Sequence, residues 1–238
     1  MATVAIYSPK GGVGKTSLAV NLAWAAAAAT RRTLLWDLDP QGAATFILAR
    51  DRQARDQAHA AFTRSVAAEA LVRPTAVERL ALIGADASLR ALDATLAALN
   101  KRRRLARLLE PLASRYERIL LDCPPGLTPL TEQVIRAADL IVVPVIPSPL
   151  AQRALDEIAQ HLGRRAGLLM PVHVMADRRR ALHAQALAAA PDWPVVPMSS
   201  AVEAMAAHRA PVGLFQPKSA VTRIFRGLWA AVEARLAA

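Results

Sequence analysis

A glycine-rich run near the amino terminus constrains the fold more than any other feature of the sequence. Residues 9–17 read Pro-Lys-Gly-Gly-Val-Gly-Lys-Thr-Ser, after a short β-prone run and before an alanine-rich run typical of a helix. Glycines let a backbone fold around an anion with successive N–H groups pointing inward, and a helix that starts there adds its positive dipole end. The pattern therefore predicts a strand, a phosphate-binding loop and a helix.

Two side chains in this loop have chemical roles that follow from their types. Lys15 is placed to reach the β- and γ-phosphates of a nucleotide, and the Thr16 hydroxyl is placed to coordinate Mg²⁺. We predict that the cofactors are ATP and Mg²⁺. The predicted nucleotide-binding residues of the loop are Lys10, Gly11, Gly12, Val13, Gly14, Lys15, Thr16 and Ser17.

Aspartates follow two later β-prone runs. Residues 37–42 read Asp-Leu-Asp-Pro-Gln-Gly, and residues 119–126 read Ile-Leu-Leu-Asp-Cys-Pro-Pro-Gly. A carboxylate at the carboxyl end of a parallel strand faces the crevice where ligands bind, so it can hold Mg²⁺ or orient an attacking water. Asp37, Asp39 and Asp122 are therefore candidate site residues.

The three motifs together resemble the ParA/MinD family of P-loop ATPases, and a less specific resemblance continues through nearly the whole chain. The loop departs from the strict Walker A pattern because Pro9 stands where the first glycine would be. A second lysine, Lys10, matches the deviant Walker A loop of that family. The resemblance implies that Lys10 crosses a dimer interface and contacts the phosphates bound to a second subunit.

The same resemblance assigns roles to the aspartates and a place to the nucleotide base. Asp39 is expected to position the hydrolytic water, Asp37 to support Asp39 or the metal, and Asp122 to hold Mg²⁺ through a water. The base is expected near Met175 and Pro197. The resulting candidates are Lys10, Lys15, Asp37 and Asp39 for catalysis, and Thr16, Asp39 and Asp122 for the metal.

Apolar β-prone runs alternate with helical runs along the chain. The β-prone runs are apolar throughout, which favours a mostly parallel sheet with helices on both faces, in an α/β fold of the P-loop type. We predict one domain over residues 1–238. The predicted strands are 3–7, 33–37, 79–83, 118–122, 140–145, 168–175 and 195–196; the predicted helices are 16–30, 45–75, 89–114, 150–162, 180–189 and 218–236.

The charge of the chain indicates a polyanionic partner. The formal net charge is +11 and the pI is about 11.2, which favours nucleic acid or an anionic lipid surface. Aromatic residues make up only 4%, so stacking platforms for single strands are scarce and duplex DNA is the better candidate. The arginines predicted to contact DNA non-specifically are Arg178, Arg179, Arg180, Arg223 and Arg226.

Several branches of the resembled family can be tested against the residues. The sole cysteine, Cys123, excludes an iron–sulfur cluster that needs two cysteines from each subunit, and the two internal tyrosines exclude a tyrosine kinase with a carboxyl-terminal tyrosine cluster. The amphipathic run 218–236 is either a membrane-binding helix or the last core helix, and we favour the core helix. With no signal peptide or spanning helix evident, we expect a cytoplasmic, nucleoid-associated protein.

These observations favour a partitioning or positioning ATPase that forms a homodimer around Mg-ATP. It would bind duplex DNA and leave it after hydrolysis stimulated by a ParB-like or cargo-adaptor protein, so moving a plasmid, a chromosome region or a protein cargo. Two alternatives stay open. One is a MinD-like ATPase that cycles on a membrane, and the other is a nucleotide-bound scaffold that does not hydrolyse ATP.

Overall fold

Eight strands form one sheet at the centre of the computed structural model, which describes residues 1–50, 57–63, 65–99 and 103–238. The strands are β1 (Ala2–Ile6), β2 (Thr33–Asp37), β3 (Arg73–Pro74), β4 (Leu80–Ile83), β5 (Arg118–Asp122), β6 (Leu140–Val145), β7 (Leu169–Ala176) and β8 (Val195–Pro197). Their spatial order is β3-β4-β2-β5-β1-β6-β7-β8. Within the described residues, β3 pairs antiparallel with β4 and the other pairs are parallel, which confirms the predicted sheet.

Helices cover both faces of this sheet, as the apolar strands predict. The α-helices of the described residues are α1 (Lys15–Ala28), α2 (Ala43–Leu48), α3 (Ala58–Thr63), α4 (Leu92–Leu99), α5 (Arg104–Leu109), α6 (Pro129–Ala137), α7 (Pro149–Leu162), α8 (Ala181–Ala189), α9 (Ser200–Glu203), α10 (Met205–His208), α11 (Val212–Phe215) and α12 (Ala220–Ala237). Successive side chains of a strand point to opposite faces of the sheet and so pack in different helical layers. Val4 and Ile6 pack with α1 and α12, whereas Ala5 and Tyr7 pack in the layer that contains α4 to α7.

The register of the central strands brings the sequence motifs to one edge of the sheet. Asp122, the last residue of β5, pairs with Ile6 of β1 on one side and with Asp37 of β2 on the other. The glycine-rich run follows β1 directly. The carboxyl ends of the three neighbouring strands therefore present the loop and both aspartate motifs to the same crevice.

The carboxyl-terminal helix belongs to the core. Val221, Phe225, Leu228, Trp229 and Val232 of α12 are buried in the same layer as α1. The prediction of a last core helix is confirmed, since the apolar face that a membrane would need is covered by the sheet and α1. Among the described residues, no helix combines the length and the hydropathy needed to cross a bilayer.

The predicted helix over residues 45–75 is wrong for much of its length. The structure has α2, α3, a 3₁₀ helix at Ala68–Leu71 and the short edge strand β3, while residues 51–56 and 64 lie outside the described residues. Pro74 cannot donate a backbone hydrogen bond, and the sheet edge tolerates it where a helix interior would not. Alanine-rich composition is a weak preference that packing overrides here.

The predicted helix over residues 89–114 is also divided. It becomes a 3₁₀ helix at Ala87–Ala91, then α4, α5 and a second 3₁₀ helix at Glu110–Ser114, with residues 100–102 outside the described residues. Pro111 removes a helical N–H and stands in the first turn of the last segment. The helix α6 was not predicted from the sequence. Thr128 caps its amino terminus in a reciprocal capping box with Thr131, and Pro129 is its first residue.

Candidate active site

The phosphate loop (residues 9–17) joins β1 to α1 through backbone conformations that glycine permits. Gly12 and Gly14 have φ angles of +72° and +81°, which side-chain-bearing residues rarely adopt. Gly14 provides no capping side chain for α1, and the first turn of the helix carries no acidic residue. The free N–H groups and the positive end of the helix dipole are therefore left for an external anion.

Lys15 places a cation inside this loop. Its side chain is buried, and its Nζ donates a hydrogen bond to the Lys10 carbonyl oxygen at 2.8 Å. Burial lowers the pKa of Lys15, and the negative charges of Asp122 and Asp39 oppose that shift. The Lys15 ammonium can exchange its hydrogen bond to this loop carbonyl for one to a phosphate oxygen with little movement of the backbone.

Asp122 is a buried carboxylate without a partner. Neither of its oxygens accepts a hydrogen bond within the part of the chain that the structure describes. Burial, and then the neighbouring Asp37, raise the pKa of Asp122 well above 3.8, while the nearby Thr16 hydroxyl works against the rise. Two orphaned oxygens beside a hydroxyl are a donor set that fits a hard cation such as Mg²⁺.

Asp37 instead has its oxygens occupied. Its Oδ2 accepts hydrogen bonds from the Thr45 hydroxyl at 2.7 Å and the Thr45 N–H at 2.8 Å, and its Oδ1 accepts from the Asp39 N–H at 3.2 Å. The Thr45 hydroxyl also accepts a bond from the Ala85 N–H. Asp37 therefore ties the Asp39 N–H to the start of α2, and its role in supporting Asp39 or the metal stays a prediction.

The burial of Asp37 predicts a pH dependence of stability in the absence of metal. Burial raises the pKa of Asp37 from 3.8 to about 6 in the folded chain. Because the folded state holds this proton more tightly than the unfolded state, the contribution to stability is complete below pH 3.8 and is lost as pH rises through 6. The loss is about 3 kcal/mol.

Chemical denaturation of the wild type and of Asp37→Asn between pH 4 and 7, with EDTA present, measures this loss. The neutral amide keeps the shape of the carboxyl group but has no proton to lose. The variant should therefore become more stable relative to the wild type as pH rises through this window. A difference in unfolding free energy that stays constant over the window would show that Asp37 does not titrate there.

The loop and the aspartate motifs line one cavity of about 580 Å³. Lys15, Thr16 and Asp39 line it together with Pro124 and Pro125 of the turn after β5. The Asp39 Oδ1 accepts a hydrogen bond from the Gln41 N–H at 2.9 Å, and no hydrogen bond from a described residue reaches its Oδ2. The residues of the loop that line the cavity are Gly11, Gly12, Gly14, Lys15, Thr16 and Ser17, whereas Val13 is buried.

Sequence reasoning missed two further residues of this cavity. Arg90 and Asp93 reach it from the segment that begins α4. Asp93 also accepts a hydrogen bond from the Leu130 N–H, which joins α4 to the start of α6. No sequence pattern indicates them, because the sequence predicts one continuous helix over residues 89–114.

The turn after β5 is tied to the phosphate loop. The Gly126 N–H donates to the Pro9 carbonyl at 2.9 Å, and the buried Tyr7 hydroxyl donates to the Gly126 carbonyl at 3.1 Å. Burial raises the pKa of Tyr7 to about 12, so the hydroxyl keeps its proton for this bond. These two hydrogen bonds join the phosphate loop and the end of β1 to Gly126.

A smaller cavity of about 250 Å³ lies beside the start of α1. It is lined by Met175 and Pro197, the residues expected near the base, together with Gly14 and Ser17 of the phosphate loop. Met175 has a φ of +53°, an uncommon backbone conformation for a side-chain-bearing residue. The cavity is mostly apolar and large enough for a planar base next to the phosphate loop.

Comparison with known proteins identifies the family. Residues 1–166 match the family described as AAA domain. The sporulation initiation inhibitor protein Soj of Bacillus subtilis is 29% identical over 241 residues, which cover 94% of this chain and 95% of that protein. The chromosome partitioning protein ParA of Caulobacter vibrioides is 35% identical over 199 residues, covering 78% and 73%. The chain belongs to the ParA/MinD family of P-loop ATPases.

Other relatives and solved structures agree with this family and its fold. The ParA protein of Myxococcus xanthus is 37% identical over 157 residues, which are 65% of this chain but only 56% of that longer relative. Apo McdA of Cyanothece superposes with a TM-score of 0.83 at 24% identity, covering 98% and 99% of the chains. Cobyrinic acid a,c-diamide synthase of Mycobacterium smegmatis, with an ATP analogue and magnesium, has a TM-score of 0.78 at 25% identity, covering 98% and 94%.

Lys10, the lysine typical of the ParA/MinD family, lies outside the lining of the phosphate-loop cavity. Its Nζ donates a hydrogen bond to the Leu150 carbonyl at 2.5 Å, in the first turn of α7. Leu150 itself is 70% exposed. In the single subunit this lysine is therefore held on the surface, away from the subunit's own phosphate site.

The five arginines predicted to contact DNA lie in two groups on the surface. Arg178, Arg179 and Arg180 precede α8, and Arg179 is paired with Asp177 at 2.9 Å, which offsets part of its charge. Arg223 and Arg226 are exposed on α12. The Arg226 guanidinium lies 5.3 Å from the centre of the Trp24 ring, so this arginine also packs against α1.

Proposed function

We propose that this protein is an ATP-hydrolysing partitioning or positioning ATPase that dimerises around Mg-ATP and binds duplex DNA in that state. Hydrolysis stimulated by a ParB-like or cargo-adaptor protein then releases it, and repeated cycles position a plasmid, a chromosome region or a protein cargo at the nucleoid in the cytoplasm. The observation that carries the proposal is that the phosphate loop, Asp39 and the turn residues Pro124 and Pro125 line one cavity.

The nucleotide fits this cavity by charge and by shape. The amino terminus of α1 and the Lys15 ammonium offer positive potential to the phosphates, and the adjoining apolar cavity at Met175 and Pro197 accepts the base. The related synthase structure, which holds an ATP analogue and magnesium, supports this assignment. Both parts of the nucleotide are thus accommodated on either side of Gly14.

Magnesium fits as an ion shared between protein and nucleotide. Among the described residues, no group of three His, Cys, Asp or Glu side chains could hold a metal alone. Asp122 and the Thr16 hydroxyl would supply the protein's oxygens, and phosphate oxygens and water the rest. When bound, Mg²⁺ neutralises charge on the β- and γ-phosphates. With Mg²⁺ bound, a cation would lie beside the buried carboxylate of Asp122, whose oxygens accept no hydrogen bond from the described residues.

Asp39 is the residue that we assign to hydrolysis. The Asp37 carboxylate accepts from its N–H and the Gln41 N–H donates to its Oδ1, while its Oδ2 accepts no hydrogen bond from the described residues and the residue lines the cavity. A carboxylate in this place can accept a hydrogen bond from a water and direct its lone pair at the γ-phosphorus. Lys15 stabilises the charge that develops on the phosphoryl oxygens.

The contact between Lys10 and α7 predicts that dimer formation depends on this lysine. We propose that Lys10 leaves the Leu150 carbonyl and contacts the nucleotide of the second subunit. Lys10→Ala should therefore bind ATP within about threefold of the wild type but form at least tenfold fewer dimers, since a charge-assisted contact is lost at each of two sites. Sedimentation velocity with ATP, with ADP and without nucleotide measures the dimer fraction.

Lys218→Ala is a matched control for that experiment, because it removes an exposed lysine far from the phosphate loop in sequence. The control should dimerise with ATP as the wild type does. Full ATP-dependent dimerisation of Lys10→Ala would contradict the role of Lys10. Absence of a dimer in the wild type with ATP would contradict the proposed cycle itself.

Electrostatics support DNA as the surface on which the protein cycles. A net charge of +11 on 238 residues attracts a polyanion over long range. Arg178, Arg180 and Arg223 are exposed, and arginine forks contact phosphates without reading the bases. Since the apolar face of α12 is packed in the core, the structure offers less support for the membrane-cycling alternative.

A further inference from the structure

Arg90 is a cation of the phosphate-loop cavity to which the proposed chemistry gives no role. It lies in the 3₁₀ helix at Ala87–Ala91, directly before α4, and it lines the cavity as Lys15 does. These two residues are the cations of the cavity's described lining. Lys15 is buried in the phosphate loop, whereas Arg90 is exposed on a different segment of the chain. A second positive charge is therefore available to an anion in this cavity.

The Arg90 guanidinium is free to bind a ligand. Neither a hydrogen bond nor an ion pair joins it to any residue that the structure describes. By contrast, Arg118 is paired with Glu233, and Arg104 donates to the Phe62 carbonyl. An unpaired arginine is ordinary on an open surface, but at the lining of an anion-binding cavity its N–H donors are available to a phosphate.

The backbone around Arg90 is held on both sides. Before it, the Asp86 carboxylate caps the 3₁₀ helix and accepts a hydrogen bond from the Ser88 N–H at 2.9 Å. After it, the Asp93 Oδ1 accepts from the Leu130 N–H at 3.0 Å, which ties α4 to the start of α6. Binding of a ligand by Arg90 therefore costs the entropy of one side chain and requires no ordering of a loop.

The segment that carries Arg90 also contacts the segment that carries Asp39. The Ala85 N–H donates a hydrogen bond to the Thr45 hydroxyl at 2.8 Å, and that hydroxyl donates to the Asp37 Oδ2. This chain of hydrogen bonds joins the two segments directly beside the cavity. Arg90 and Asp39, which both line the cavity, are therefore positioned relative to each other by the fold.

The two cavities of the nucleotide site indicate which phosphate Arg90 can reach. The cavity proposed for the base, at Met175, shares Gly14 and Ser17 with the phosphate-loop cavity, so the nucleotide passes from one to the other at these residues. Asp39 and Arg90 line the phosphate-loop cavity and not the base cavity. The terminal phosphate is the part of ATP farthest from the base, so it lies on the side of Asp39 and Arg90.

We propose that Arg90 contacts the γ-phosphate of ATP bound to the same subunit, as a second cation besides Lys15. The inference rests on the proposed function, since it requires ATP in the phosphate-loop cavity. A planar guanidinium can donate a bidentate pair of hydrogen bonds to phosphate oxygens, which an ammonium cannot do. Because ADP lacks the γ-phosphate, Arg90 makes the site favour ATP over ADP.

Equilibrium titrations with Mg-ADP and with the magnesium complex of a non-hydrolysable ATP analogue test this contact, at protein concentrations that keep the chain monomeric. Arg90→Ala should bind the analogue at least tenfold more weakly than the wild type, because a charge-assisted hydrogen bond is lost. Its affinity for ADP should stay within about twofold of the wild type, since ADP does not make that hydrogen bond. Arg90→Lys keeps the charge without the planar fork and should recover part of the loss.

Arg107→Ala is the matched control, because Arg107 is an exposed arginine of α5 that does not line the cavity. It should leave both affinities unchanged. If Arg90→Ala loses affinity equally for both nucleotides, or for neither, the inference is overturned while ATP binding by the wild type still supports the proposed function. A loss that appears only when dimers form would place Arg90 on the nucleotide of the second subunit and overturn the contact within one subunit. A wild type that binds neither nucleotide would overturn the proposed function as well.

Discussion

Replacing Lys15 with alanine is expected to reduce ATP affinity by at least a hundredfold. The ammonium group already lies inside the phosphate loop, 2.8 Å from the Lys10 carbonyl, and it is the buried cation among the residues that line the cavity. A desolvated, charge-assisted hydrogen bond to phosphate contributes about 3 kcal/mol to binding. Its loss corresponds to about a hundredfold loss of ATP affinity. Titration with a fluorescent ATP analogue and Mg²⁺ measures the change.

The loss of Lys15 could also disturb the fold, because its charge offsets that of buried Asp122. Thermal denaturation of the variant without nucleotide separates the two effects. A folded variant that fails to bind ATP supports the assignment, and Lys218→Ala should bind as the wild type does. An affinity within threefold of the wild type in a folded Lys15→Ala protein would show that the phosphates lie elsewhere.

Replacing Asp39 with alanine is expected to stop turnover while leaving the nucleotide in place. Loss of a group that orients or deprotonates the attacking water costs about a hundredfold to ten-thousandfold in kcat. ATP affinity should change by less than about threefold, because Asp39 is not among the groups assigned to the phosphates. The variant should therefore persist as an ATP-bound dimer. Phosphate release and sedimentation velocity on the same samples measure both quantities.

Asp93→Asn is the matched control for Asp39→Ala. Asp93 lines the same cavity, but its carboxylate is engaged with the Leu130 N–H, and an amide oxygen can keep that bond. Its turnover should stay within a few-fold of the wild type. Normal hydrolysis by Asp39→Ala, or an equal loss in both variants, would remove the specific role given to Asp39.

The parts of the fold that sequence predicts well are those in which local pattern and packing agree. β5 and β6 are apolar throughout because both sheet faces are covered, so their limits were predicted as the structure has them. The regions around residues 45–75 and 89–114 were predicted poorly. There, alanine and leucine favour helix locally, whereas the choice between a helix, a 3₁₀ turn and an edge strand is made by contacts distant in sequence.

The candidate site likewise contains residues that the sequence predicts and residues that it does not. Lys15, Thr16 and Asp39 were found from sequence because a phosphate loop and a strand-end carboxylate have fixed local patterns, and the structure brings them to one cavity. Arg90 and Asp93 reach that cavity from a segment without such a pattern. The hydrogen bond of Lys10 to Leu150 joins residues 140 positions apart, so it could be seen only in three dimensions.

Replacing Arg223 tests whether this arginine contacts DNA or only adds to the net positive charge of the protein. Arg223→Ala should reduce the slope of log affinity against log salt by about 0.9 if this arginine neutralises one DNA phosphate. Arg153→Ala removes an equal charge from an exposed position on α7, where Arg153 is already paired with Glu157 at 3.1 Å. Its slope should match the wild type. Equal slopes for both variants would place the DNA surface elsewhere.

Binding of the wild-type protein to a non-specific DNA duplex tests directly whether the protein cycles on DNA with its nucleotide state. The measurement compares ATP, ADP and no nucleotide, each across a salt series. DNA binding should appear with ATP, should be at least tenfold weaker with ADP, and should weaken with salt by about 0.9 log units per log unit for each phosphate neutralised. Equal binding in all three states, or none with ATP while ATP is still hydrolysed, would contradict a DNA-cycling ATPase.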